Sequence, residues 1–141
     1  MTTSLSKFNS ALRDFIVDLK KFDMVKKDVK KLETYVEITK VNSKILIRGF
    51  QTHLLRDNFV KNVINNDLHF FINYNVDDES DSPENIKDLV KRIQRIIEES
   101  NKSGNLKDTD KVFHWLKVLC YYAYLDIGID PNEKFKQLAL S

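Results

Sequence analysis

Glycine and proline are scarce in this chain: three of one and two of the other in 141 residues. Tight turns must be correspondingly few, which argues against a many-stranded β fold and for long helices. The same scarcity leaves no loop to cradle a phosphate. Neither G-x-x-x-x-G-K nor G-x-G-x-x-G occurs, and H-E-x-x-H and G-x-S-x-G are missing too. Cys120 stands alone, so no intramolecular disulfide can form. That fits a reducing compartment, or a fold indifferent to redox state. The longest apolar run, "VLCYYAYL", is eight residues, far short of the roughly 20 that cross a bilayer. The opening "MTTSLSKFNS" lacks the apolar core of a signal peptide. A soluble, intracellular protein is the expectation.

What is present suits one domain over residues 1–141. A chain of this size can bury roughly 70% of its unfolded surface and needs no metal or disulfide to hold a core; no cofactor is expected. Apolar residues make up 42% and charged residues 31%, ordinary values for a globular protein. Net charge is only +2, but it is unevenly placed: residues 1–66 carry net +6 and residues 67–141 net −4. A basic half joined to an acidic half suggests internal complementarity or a pair of polar contact surfaces, and the basic half alone suggests nucleic acid.

Apolar spacing predicts helices throughout. Phe8, Ala11, Leu12, Phe15, Ile16, Leu19 and Phe22 form a stripe at intervals of three and four, with Ser4 or Ser6 as cap. A second helix is expected from about Lys26 to Lys40, with Val36 on its inner side, and a third from about Ser43 to Arg56, after a break capped by Asn42. "DNFVKNVI" continues the third helix or restarts with Asp57 as cap. "LHFFINYNV" reads as a short helix started by Asn66 or Asp67, with a strand as the rival because of its aromatic content. After the acidic loop "DDESDSPEN", Ser82 and Pro83 open a helix ending near Ser100. Asp108 is expected to cap the next, Gly128 to end it, and Asp130 with Pro131 to start a last helix holding Phe135, Leu138 and Leu140. The fold class is therefore all-α: a bundle of about five main helices plus short ones.

The stretch "KVFHWLKVLCYYAYLDIG", residues 111–128, concentrates the chemistry-bearing residues: the only Trp and Cys, one of three His, and three of five Tyr. Val112, Trp115, Leu116, Leu119, Tyr122 and Ala123 follow helical spacing, and Phe113, Val118, Tyr121 and Leu125 widen the apolar surface nearly all round. Such a helix runs through the middle of a bundle, so these residues, Trp115 included, are expected in the core. His114 and Cys120 lie about 240° apart around it and cannot pair as base and nucleophile. His53, His69 and His114 have no second His or Cys at i+3 or i+4, so no metal site is expected. Asp77, Asp78, Glu79 and Asp81 miss the EF-hand pattern and have no aromatic neighbours to raise a pKa.

The surface feature that stands out is basic. Lys20, Lys21, Lys26, Lys27, Lys30 and Lys31 fall within twelve residues, enough charge to neutralise phosphates. Asp18, Asp23 and Asp28 interleave with them, no Arg lies among the lysines to read a base, and the one aromatic there, Phe22, belongs to the apolar stripe. A solvated face, a protein contact and a nucleic-acid contact all remain open for this cluster.

Three segments, "FNSALRDFIVDL", "GFQTH" and "KVFHWLKVLCYYA", resemble a family of small, uncharacterised all-helical proteins of large DNA viruses of algae and protists, the nucleocytoplasmic large DNA viruses. The resemblance covers about two thirds of the chain in outline. It departs where "FDMVKK" stands in place of an "FPE"-like turn. It implies a helical viral protein and supplies no catalytic residues. The functional expectation is a non-enzymatic structural or interaction protein that contacts other proteins or its own copies, in the host cytoplasm or the virion. The alternative is a nucleic-acid accessory protein acting through Lys20 to Lys31.

Overall fold

The computed structural model describes residues 3–19, 30, 33–34, 36–37, 40–75, 84–104 and 106–140. All regular structure among them is helical, as the turn-poor composition predicts: α1 (Ser4–Leu19), α2 (Ile45–His53), α3 (Asp57–Ile64), α4 (Leu68–Asn73), α5 (Glu84–Lys102), α6 (Leu106–Asp126) and α7 (Pro131–Ala139). Of the predicted second helix, residues 30, 33–34, 36–37 and 40 are helical, and Val36 packs against the core.

Helix α6 is the axis of the molecule, with α1, α2, α3, α5 and α7 all packed on it. Its pairing with α1 is the most extensive in the fold. The two run antiparallel: Asp18, near the end of α1, bonds Trp115 early in α6, while Ser6 and Lys7 share a concavity with Tyr122. The stripe Phe8, Ala11, Leu12, Phe15 and Ile16 is buried as a unit, and it joins Leu46, Ile47 and Phe50 of α2 and Val112, Leu116 and Leu119 of α6 in one continuous core.

The helix ends show local chemistry setting the chain's path. Thr3 caps α1, not Ser4 or Ser6: its Oγ1 accepts from the Ser6 N–H at 3.1 Å. Asp67 caps α4 by accepting from the Phe70 N–H at 3.0 Å, which decides "LHFFIN" as helix over strand. Asp130 caps α7 with Pro131 in the first turn. Helix α6 begins at Leu106, two residues before Asp108, so Asp108 lies in its first turn and favours the positive end of the helix dipole. Asp57 opens α3 without capping it; Arg56 holds the cap position, and the Asp57 carboxylate pairs with Lys134 of α7 at 3.0 Å.

Helices α3 and α6 end the same way. The N–H of Asp67 reaches the Asn62 carbonyl and that of Asn66 reaches Val63, with Asn66 left-handed at φ 52°. Ile129 and Gly128 repeat the pattern onto Tyr124 and Leu125, with Gly128 at φ 77°. Two bonds thus satisfy last-turn carbonyls that the helix itself cannot. A Cβ at position 128 would meet nothing within 4 Å. Gly128→Ala should therefore cost only the left-handed backbone penalty, about 1–2 kcal/mol, read from denaturant unfolding. A loss above about 3 kcal/mol would mean that the turn is crowded.

Glutamine side chains tie the short helices to the long ones. Gln94 donates to the carbonyls of Phe71 and Tyr74, closing the end of α4 onto α5. Gln51 donates to Ala123 and Asp126, holding α2 to the end of α6.

Candidate functional site

The sequence reading assigned α6 to the core nearly all round. The structure divides it. Val112, Phe113, Leu116, Leu119, Cys120, Ala123 and Tyr124 are buried, whereas Val118, Tyr121 and Tyr122 are half-buried, His114 is exposed, and Leu125 is 37% exposed. Trp115 belongs to the second set. It stacks on Phe15 at 6.3 Å between centroids, and its indole N–H donates to Asp18 at 2.8 Å. It packs half-buried against the core and lines a groove between α1 and α6. Leu140, expected within the last helix, is 88% exposed just beyond the end of α7.

This outer side of α6 is concave because α1 and α7 flank it. One groove, of about 210 Å³, is lined by His114, Lys117, Val118, Tyr121, Tyr122 and Phe135. A second, of about 290 Å³, lies between α1 and α6, with Lys7, Arg13 and Asp14 on one wall and Trp115, Val118 and Tyr122 on the other. Val118 and Tyr122 line both, so the two grooves form one face. Its floor is aromatic: Tyr121 packs edge-on to Tyr122 at 5.5 Å and to Phe135 at 6.4 Å, and His114 edge-on to Trp115 at 5.6 Å. Its rim carries Lys7, Arg13 and Lys117 against Asp14, with Lys111 one turn before His114 and Trp115. Tyrosine and lysine suit such a position, since each presents an apolar body and a polar tip.

A larger concavity, about 610 Å³, lies along the outside of α7. It has no aromatic lining, and its charges offset one another, Asp130 and Glu133 against Lys134 and Lys136. A mixed, open surface of that kind selects for no particular chemistry.

Cys120 lies behind the aromatic face and is inaccessible from it. It is fully buried, and burial drives its thiol well above the ordinary range, only slightly offset by a backbone hydrogen bond. A thiol held in this form is a poor nucleophile. Tyr124 is buried beside it with a hydroxyl that finds no partner. Burial foremost, then the neighbouring Cys120 and Asp57, pushes that hydroxyl up as well. Among the described residues no three His, Cys, Asp or Glu converge to hold a metal ion, and no helix is long and apolar enough to cross a membrane.

Of the six lysines singled out in the sequence, Lys30 is exposed on a helical segment. Lys20, Lys21, Lys26, Lys27 and Lys31 lie outside the described residues, as does the acidic stretch 77–83. The site residues that sequence reasoning missed are Lys7, Arg13, Lys117, Tyr121 and Tyr122. A signal for them was present: a lysine and two consecutive tyrosines interrupt the aliphatic run of α6, at positions where a sealed core would favour Leu or Ile. No protein-family model, curated protein or solved structure matches the chain.

The bond from Trp115 to Asp18 gives this face a testable anchor. Trp115→Phe keeps the stack on Phe15 but deletes a hydrogen bond to a carboxylate, a loss expected to cost about 1.5–3 kcal/mol in thermal or urea unfolding. An unchanged stability would show that Asp18 does not hold the indole.

Proposed function

We propose that this chain is a non-enzymatic interaction protein whose binding surface is the face shared by α1, α6 and α7. The observation that carries the proposal is the placement of half-exposed Tyr121 and Tyr122 over a buried aliphatic layer, rimmed by Lys7, Arg13 and Lys117. Large, stiff aromatic side chains beside cations give contact area at low entropy cost, which is what a binding surface needs. The thiol that could have served as a nucleophile is sealed on the far side of the same helix, which favours binding over chemistry on this face. The resemblance of three segments to proteins of large DNA viruses extends the proposal to a viral structural or interaction protein, working in the host cytoplasm or in the virion.

The test is site-directed photocrosslinking in cells that express the chain, with a benzophenone residue at position 121 or at exposed position 98 of α5. Adducts specific to position 121 are the expected result. Adducts of equal yield at both positions, or none at either, would overturn the assignment of the face.

A further inference from the structure

We propose that the ligand of the α1–α6–α7 face is single-stranded nucleic acid, bound without strong sequence preference. This rests on the reading of that face as a binding surface and names its ligand.

Single-strand binders combine two things: cations that follow the phosphates and aromatic side chains on which bases stack. The lysine cluster of residues 20–31 has the first, but its one aromatic, Phe22, belongs by its spacing to the apolar stripe. The fold supplies both on another surface. Along α6, Lys111, His114, Lys117 and Tyr121 follow one another at about one helical turn, roughly 5.4 Å of rise each, and all are exposed or half-buried. Tyr122 and Trp115 lie on the α1 side of that line, where Lys7 and Arg13 stand opposite them. The face thus brings four cations, Lys7, Arg13, Lys111 and Lys117, to a strip of Tyr121, Tyr122, Trp115 and His114.

Charge favours an anionic ligand. Asp14 lies on the α1 wall of the groove. Asp18 also borders the strip and is engaged by the Trp115 indole. Of the charged residues that line the two grooves, Lys7, Arg13 and Lys117 stand against Asp14, so the local field draws anions to the face. Shape favours a single strand over a duplex, because stacking requires unpaired bases. The grooves are shallow and shared along two helices, which suits a chain of nucleotides lying across them more than an enclosed small molecule.

Trp115 is the only tryptophan and lines the site, so its fluorescence reports occupancy directly. The experiment titrates the full chain with oligo(dT) of about 16 nucleotides, a length within single-strand site sizes, at low and physiological salt. Quenching of Trp115 is expected, with affinity falling as salt rises by a log–log slope of about −0.7 for each phosphate contacted. Arg13→Glu with Lys117→Glu should weaken binding by at least about tenfold and flatten that slope. Tyr121→Leu should weaken it by at least about fivefold while leaving the salt slope unchanged, because stacking carries no counterion term. Thermal unfolding of each variant confirms that the fold is retained.

Binding lost with Lys26→Glu and Lys27→Glu, but kept with Arg13→Glu and Lys117→Glu, would overturn the site in favour of the lysine cluster. No quenching by oligo(dT) at low salt would overturn the ligand. If a glutamate–tyrosine copolymer then quenches Trp115, and Arg13→Glu with Lys117→Glu abolishes that effect, the face still binds and its ligand is an acidic protein. Failure of the face itself is read separately, from the absence of adducts specific to position 121.

Discussion

Phe71→Ala should lower the free energy of unfolding by about 3–5 kcal/mol, the range for emptying a buried aromatic site. Phe71 is 1% exposed and is the centre of an aromatic cluster. Its ring meets Phe59 at 5.2 Å, Phe113 at 5.3 Å and Phe70 at 5.5 Å, each edge-on. Those contacts join α4 to α3 and to the central helix α6. The ring also helps enclose a cavity of about 10 Å³ bordered by Leu12, Phe50, Leu116 and Leu119. That void is apolar and holds one water at most, so it stays dry. Truncating Phe71 would enlarge it, because the surrounding helices are fixed by the Gln94 bonds to the Phe71 and Tyr74 carbonyls and cannot collapse fully. With typical stabilities of about 5–15 kcal/mol, the loss would take a fifth or more of the total. Urea unfolding should show a lower midpoint with an unchanged m-value. The control is Phe70→Ala: Phe70 is half-buried beside the same cluster and should cost about half as much. Equal losses for the two would mean that α4 is not docked in this register.

The helical class and most helix starts were legible in the sequence because they rest on local physics. Asp67, Asp130 and Pro131 act within three residues of themselves, and the stripe from Phe8 to Ile16 needs only the period of a helix. The end of α3 was less legible. Asn66 takes a left-handed conformation that glycine usually fills, and no glycine marked it. The position of Trp115 was misread for a different reason. Its spacing fits the core stripe, but whether a residue at the edge of a stripe is sealed depends on which helices flank it. Here α1 covers one side and α7 contributes only Phe135 to the groove, which leaves Tyr121, Tyr122 and Trp115 half-buried. The grouping of Lys7 and Arg13 with Lys117 was not legible at all. About a hundred residues separate them in sequence, and only the antiparallel packing of α1 on α6 brings them to one face.

Alkaline pH should destabilise the native chain more steeply than its Cys120→Ala variant. Cys120 is fully buried, and burial pushes its thiol far above the ordinary value of 9.0. Between pH 9 and 10 the unfolded chain therefore releases this proton while the folded chain keeps it. Stability falls with pH wherever the folded state binds more protons, so the thiol's contribution is complete below about pH 9 and is lost as pH rises beyond it. The slope from one group is about 1.4 kcal/mol per pH unit. Tyr124 adds a second such term. Its hydroxyl is buried without a partner, and burial, aided by Cys120 and Asp57, pushes it above its ordinary 10.0. Above pH 10 the two together should remove up to about 2.7 kcal/mol per unit. Every other group is shared by all the variants, so the difference between variants isolates these two groups. Cys120→Ala should flatten the stability profile from pH 9 upward, and Tyr124→Phe only from pH 10 upward. At neutral pH, Tyr124→Phe should be neutral or slightly stabilising, since it removes a buried hydroxyl that makes no hydrogen bond. Urea unfolding between pH 7 and 10.5 reads both effects. Parallel alkaline profiles for wild type and Cys120→Ala would show that water reaches the thiol in the folded state, and with it that the centre of α6 is not sealed as described.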